Sequence, residues 1–275
     1  MAILERNLHI NISMGDIPAD RQPSRDIWRD CPYLALTYNP GRGFHYMDDF
    51  RTSPTTLAAG QSAAVIANTG GRYQGLTAVN ATIASLEDAI GIVRMNVTTT
   101  EHTHAILSAF GGTDNTPLSI DSNKPYWFEG RYRTNAVTTA QRGIFIGLGE
   151  KGLLHATNLM ANTTMALSDS EKTIGFNALQ ADTTVLRAQS SEDDEYNEVG
   201  QSTIAADTWF KVGLKFDGSN LRFYFNGQQV GRAIASTDDA YPADETLALY
   251  MAIKRRDAGD NNRLDCDWIR AAQTD

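Results

Sequence analysis

A chain of 275 residues with 41% hydrophobic content is long enough to bury a sizeable core, and all-β sandwiches of this length often form one domain. A net charge of −9 and a pI near 5 argue against nucleic acid as a direct partner, since phosphate neutralisation requires a basic face. The first residues, MAILERNLHINISMGD, show no basic region followed by an apolar stretch and a small-residue cleavage site. No later segment is apolar for the length of a bilayer, so the expectation is a chain made and kept in cytosol, without a membrane partner, unless it leaves within an assembly or by lysis. Without a secretory signal the glycosylation motifs at Asn11, Asn80, Asn96 and Asn162 carry little weight.

Residues 1–43 are punctuated by Pro18, Pro23, Pro32 and Pro40 among polar residues and have no sustained periodicity. They are expected to form an extended N-terminal arm that orders only by lying along a partner or its own domain, with Trp28, Tyr33, Leu34 and Leu36 as anchors. The arm is expected to serve assembly rather than folding. Residues 44–275 carry short strand patterns separated by Gly, Asn, Asp, Ser and Thr clusters. These predict strands at 44–50, 63–67, 91–98, 104–110, 126–134, 142–149, 173–180, 184–189, 208–216, 221–226, 246–254 and 264–271, which is enough for two sheets. One or two helical turns are expected in 158–167.

The clearest pattern is Thr208 to Val230. Phe210, Val212, Leu214 and Phe216 alternate with Lys211, Gly213 and Lys215, a turn follows at Asp217 to Asn220, and Leu221, Phe223 and Phe225 resume the period of two before Asn226-Gly227. The four apolar residues should be buried and the two lysines exposed. Cys31 and Cys266 allow at most one bridge; Cys266, sharing a strand face with Leu264 and Trp268, is expected to be a reduced core thiol.

Candidate chemistry is sparse. His102 and His104, at i and i+2 on a strand, would bring two imidazoles to one side, where zinc needs a third ligand; a surface pair is the plainer expectation. The run Glu192 to Glu195, with Glu198, lacks the spaced loop that wraps calcium and reads as a solvated loop. Asp257 and Asp260, with Asn261 and Asn262, are the better calcium candidates, still weak, and no cofactor is expected. No Gly-x-Ser-x-Gly elbow or activated cysteine is present, and Gly111-Gly112 and Gly147-x-Gly149 are turn or strand glycines. Tyr126, Tyr196, Tyr241 and Tyr250 are taken as exposed rings that could stack on sugars.

The hairpin above, together with Phe44-His45-Tyr46-Met47-Asp48-Asp49-Phe50, Trp127-Phe128-Glu129-Gly130-Arg131-Tyr132-Arg133 and Leu264-Asp265-Cys266-Asp267-Trp268-Ile269-Arg270, resembles the laminin-G-like and concanavalin-A-like jelly rolls of tailed-bacteriophage virion proteins over residues 44–272. The resemblance implies an all-β, two-sheet antiparallel β-sandwich that decorates the outside of a phage capsid, binding the major capsid protein and copies of itself, as a trimer. Sandwich enzymes that cleave β-glucans carry Glu-x-Asp-x-x-Glu on one strand, and no such run exists here. Asp265 and Asp267 share a face without a third carboxylate and are expected to face solvent; Asp48 and Asp49 point to opposite faces. The expectation is therefore a structural protein and not an enzyme, with a carbohydrate-binding sandwich that takes surface glycans as the alternative and a polysaccharide lyase or hydrolase as the third reading.

Overall fold

The computed structural model describes residues 19–50, 60, 64–65, 73–86, 91–98, 100–109, 118–120, 124–135, 142–150, 153, 159–168, 170–243, 245–257 and 261–275. Among them, antiparallel strands build two sheets. The first runs in the order β15 (Gln228–Ala235), β14 (Asn220–Phe225), β13 (Phe210–Phe216), β8 (Tyr126–Thr134), β17 (Asn262–Thr274), β5 (Val93–Val97), β4 (Ala81–Ser85), and β1 (Gly43–Asp48) pairs the far half of β17. The second runs β12 (Glu195–Thr203), β11 (Asp182–Glu192), β10 (Thr173–Leu179), β9 (Arg142–Glu150), β16 (Thr246–Arg255), β6 (His104–Ala109), β3 (Tyr73–Thr77), β2 (Ala64–Val65), with β7 (Leu118–Ser119) on β16. The inner faces of both sheets close over one large apolar core, the arrangement of a two-sheet sandwich.

The β13–β14 hairpin shows how the sequence does this. Phe210, Val212, Leu214 and Phe216 are buried in that core, and Phe216 stacks between Tyr126 and Tyr241 at 5.3 Å from each. Asp217 accepts from the backbone N–H groups of Ser219 and Asn220, and Gly218 takes the positive φ that the turn requires. Asn226 and Gly227 are both left-handed, as a two-residue hairpin turn demands. The lysines depart from expectation: Lys211 Nζ donates to the Gln22 carbonyl at 2.9 Å and Lys215 Nζ lies 2.8 Å from Asp30, both beneath the N-terminal segment.

Of the expected arm, residues 1–18 lie outside the described residues, and the rest lies along the chain's own domain. Residues 19–42 form two short helices, α1 (Arg25–Trp28) and α2 (Tyr33–Tyr38), flanked by single 3-10 turns, and lie across the outer face of the first sheet. Ile27, Cys31 and Leu36 pack there on Trp127, Tyr224 and Ala272, with Trp28 and Tyr33 half-buried beside them. Gly213 makes room: a Cβ there would come within 2.4 Å of Ile27 Cδ1. On the opposite outer face, Leu153, Leu159, Met160 and Leu167 cover Phe145, Tyr250 and Ile106 of the second sheet. Residues 159–167 contain no helix; Met160 and Leu167 pair as an isolated bridge, and residue 158 lies outside the described residues.

Five strands escaped the sequence reading. β12 is largely wet and shows no apolar alternation, β3 is buried at every position despite Gln74 and Gly75, and β15, β4 and β7 are weakly apolar or short. A bulge between Cys266 and Trp268 also corrects the assigned face: Ile269 and Ala271, not Trp268, follow Leu264 and Cys266 into the core.

Candidate functional site

Three polar regions outside the core bring side chains together. The first is the outer face of the first sheet, beneath α1 and α2. Asp265 and Asp267 sit there fully enclosed rather than facing solvent. Arg94 Nε and Arg133 Nη2 bind Asp265 at 2.7 and 2.8 Å, and Arg21 Nη2 and Arg131 Nη1 bind Asp267 at 2.5 and 2.6 Å. Arg131 and Arg133 also stack on Trp209, with guanidinium carbons 4.3 and 4.6 Å from the ring centre. Glu129 is wholly buried, and its Oε2 accepts from Ser24 N at 2.8 Å and Trp28 Nε1 at 2.7 Å. Burial pushes its pKa up, against the pull of those two donors. Trp28 and Tyr33 in turn lie against the Arg270 guanidinium. Trp28, Tyr33 and Leu36 thus contact the chain's own sheet.

The second region lies on the surface at the β11–β12 hairpin. The acidic run read as a solvated loop is its turn: Asp193 and Asp194 both adopt positive φ, which carries the chain directly from Glu192 into Glu195. This turn raises Tyr196 onto the surface, where it is 47% exposed with its hydroxyl 3.2 Å from both Gln189 Oε1 and Glu198 Oε2. Asn197 Nδ2 donates to Asp238 Oδ2 at 3.1 Å, and Arg232 Nη2 donates to Asn197 Oδ1 at 2.8 Å. The meeting of β12 and β15 supports this, because Gly231 and Gly200 touch so closely that a Cβ at Gly231 would strike the Val199 carbonyl. The result is a groove of about 410 Å³ lined by Glu195, Tyr196, Asn197, Asp238 and Asp239. It offers an open aromatic face, carboxylate acceptors and an amide.

A third cluster was invisible in the sequence because its members are far apart. Lys172 Nζ donates to Glu245 Oε1 at 2.6 Å and lies 3.4 Å from Glu192, and Glu150 stands beside Lys172 and Glu171. Burial first and the neighbouring Glu171 second push the Glu150 carboxyl up to about 7, the range in which a carboxylic acid can donate a proton near neutrality.

Of the four tyrosines, Tyr126, Tyr241 and Tyr250 are core residues and only Tyr196 is exposed. His102 occupies a left-handed turn rather than a strand, so it does not face the same side as His104; its carbonyl lies 3.4 Å from His104 Nδ1. Asp257 pairs with Arg256 at 3.4 Å, and Asp260 lies outside the described residues, as do Gly111 and Gly112. No group of three metal-binding side chains occurs among the described residues. Asp48 accepts from Tyr46 and Tyr73 hydroxyls at 3.0 and 2.8 Å. Cys31 and Cys266 are free and buried, and burial pushes the Cys31 thiol up to about 12.

No protein-family model matches the sequence, and no curated protein does. Solved structures do match. A protein of unknown function from Shewanella oneidensis MR-1 shares 12% identity over 88% of this chain and 94% of its own, with a TM-score of 0.51. SCLam, a non-specific endo-β-1,3(4)-glucanase from family GH16, shares 10% over 84% and 90%, with a TM-score of 0.54. LamA from Zobellia galactanivorans, in complex with laminaritriose and laminaritetraose, shares 11% over 83% and 98%, with a TM-score of 0.50. The fold is a concanavalin-A-like jelly-roll β-sandwich. The expectation that the chain is not an enzyme is overturned by the same finding. An endo-glucanase is built on this sandwich, so the missing Glu-x-Asp-x-x-Glu run does not exclude glycoside hydrolysis.

Proposed function

We propose that the chain is a carbohydrate-binding β-sandwich whose glycan site is the groove at Tyr196. The observation that carries this reading is the exposed Tyr196 ring set beside Asn197, Asp238 and Asp239 in a polar groove. A sugar presents an apolar C–H face to such a ring and a rim of hydroxyls to carboxylates and amides; the hydrogen bonds around Asn197 hold those groups in place. The jelly-roll neighbours that act on or hold β-glucan fragments make glucan oligosaccharides the first ligands to try.

A glycan array followed by titration calorimetry tests this. Tyr196→Ala should weaken the selected oligosaccharide about tenfold or more, which is about 1.4 kcal/mol, with an unchanged melting curve. Absence of any glycan binding near 1 mM, or full affinity in Tyr196→Ala, ends the reading. Release of reducing ends from the same panel would extend it to hydrolysis, and Glu150→Gln would then report whether the carboxyl held near neutrality supplies the proton.

Attachment to a phage head is the second reading, and one observation favours it. Tyr38 at the end of α2 and Met47 on β1, which packs against α2, are large apolar side chains left in water, 81% and 53% exposed. Cosedimentation with expanded heads, lost in Tyr38→Ser, would support contact with a major capsid protein; sedimentation velocity would show whether the chain is a trimer. Heads that bring down no protein would remove it.

A further inference from the structure

Much of the acid of this chain, whose net charge is −9, gathers beside the groove at Tyr196. Among the described residues that line it, Glu195, Asp238 and Asp239 are carboxylates, and none is a lysine or an arginine. The described basic side chains around it are already engaged. Lys172 is shared by Glu245 at 2.6 Å, Glu192 at 3.4 Å and Asp193 at 3.9 Å. Arg187 Nε lies 3.6 Å from Glu198, and Arg232 donates to Asn197 at 2.8 Å and stands 3.9 Å from Asp238. Asp238 also takes the Asn197 amide, whereas Glu195 and Asp239 are exposed and their carboxylates have no ion pair.

A second observation at the same place is independent of charge. Next to the Tyr196 ring, Gln189 is 1% exposed; its Oε1 lies 3.2 Å from the Tyr196 hydroxyl, and its Nε2 has no hydrogen-bond partner. A buried amide donor left unanswered costs free energy, and an oxygen of a bound ligand would answer it.

Unanswered carboxylates at a cavity concentrate cations and repel anions. An ammonium group brings three donors to such carboxylates and is drawn to the face of an aromatic ring. The groove therefore suits a ligand that carries a cation and oxygen acceptors around an apolar face. We infer, on the reading of this groove as a glycan site, that its ligand is an oligosaccharide of amino sugars with free ammonium groups, Glu195 and Asp239 meeting the cation and Gln189 Nε2 a sugar oxygen. Uncharged glucans gain less there, and uronate or sulfated sugars are repelled.

Three β-1,4-linked tetrasaccharides that differ only at carbon 2, of glucosamine, N-acetylglucosamine and glucose, test this by calorimetry on the full chain at about pH 6, where the amines keep their protons. The glucosamine tetramer should bind about tenfold or more tightly than the other two. Most of that advantage should vanish between about 20 mM and about 500 mM sodium chloride, because the carboxylates are exposed to screening. Glu195→Gln and Asp239→Asn keep the shape of exposed side chains and should leave the melting curve unchanged. Together they should bring the glucosamine tetramer to within about twofold of the glucose tetramer. Equal binding of all three tetramers, or an advantage that survives both high salt and the double variant, overturns the role of the ammonium and leaves the glycan site standing. Spermine, which carries the charge without a sugar, should bind far more weakly; affinity equal to that of the glucosamine tetramer would show that the groove reads charge alone and overturn the amino sugar. If none of the tetramers and no other glycan binds, the glycan reading falls and the amino sugar with it.

Discussion

The two faces of the first sheet are built on different physics. Toward the second sheet, Phe210, Val212, Leu214, Phe216, Leu221 and Phe223 enter an apolar cluster, where attraction is non-directional and scales with area. The same strands turn Lys211, Gly213, Lys215 and Glu129 outward, and the neighbouring strand adds Asp265 and Asp267. Residues 21–30 hold Lys211, Lys215, Glu129 and Asp267 through hydrogen bonds and ion pairs and pack Ile27 on Gly213, while Asp265 is held by Arg94 and Arg133 of the sheet itself. Directional contacts of this kind hold only while every partner is in place. The inner face is therefore unconditional, whereas the outer face depends on the position of residues 19–42.

The largest effect should come from breaking the inner face. Phe216→Ala removes a ring stacked between Tyr126 and Tyr241 and should cost about 3–5 kcal/mol in chemical denaturation. A loss under about 1 kcal/mol would place the residue outside a packed core. Next comes Asp267→Ala, which leaves the buried Arg131 guanidinium with Asp20 as its remaining carboxylate and frees Arg21 of the N-terminal segment; about 2–3 kcal/mol is expected. The two variants should differ in kind. Phe216→Ala lowers the whole melting transition, and Asp267→Ala additionally speeds hydrogen exchange in residues 19–42.

Legibility in the sequence follows the same division. The β13–β14 hairpin could be read residue by residue because one face is apolar and its turns use Asn-Gly and Asp-Gly. The outer face could not, because Lys211, Lys215 and Asp267 look like ordinary solvated residues until the segment that covers them is placed, and Asp265 until Arg94 and Arg133 are brought beside it. The bulge at Asp267 leaves no mark in the alternation before it, and Trp268 was assigned the wrong face for that reason. β12 lacks apolar alternation altogether, so the strand that presents Tyr196 was hidden, although Tyr196 itself had been singled out as a ring for stacking. The Glu150 cluster joins residues about 20 and 95 positions apart, and no local pattern announces such a meeting.

A smaller change sharpens the comparison without touching a charge. Gly213→Ala puts a methyl group where Ile27 Cδ1 sits, and because that atom ends a flexible side chain the cost should be about 1 kcal/mol. The inner face of β13 is unaffected by this substitution. Native-state hydrogen exchange should show faster opening of residues 24–36 with unchanged protection at Val212 and Leu214. Equal acceleration at both would mean that the two faces open as one unit.

The smallest expected effect is a pH dependence confined to the same cover. His45 on β1 lies under Tyr33, with ring centres 5.6 Å apart, and Arg270 Nε is 3.4 Å from its Nε2. Burial, and then the Arg270 charge, lower its pKa from 6.5 to about 4 in the docked state. Undocking exposes the imidazole and returns its pKa toward 6.5, so the undocked form binds more protons between those values. By linkage the docking stability attributable to His45 is fully present above pH 6.5 and is lost as pH falls toward 4. Hydrogen exchange corrected for intrinsic rates should therefore show residues 24–36 opening more readily at pH 5 than at pH 7, while Val212 and Leu214 on the inner face of β13 hold steady. His45→Gln, which keeps a polar side chain but cannot gain a proton, should flatten that slope. If the slope survives this substitution, the acid sensitivity resides in another group on the face, and Glu129→Gln becomes the variant to measure.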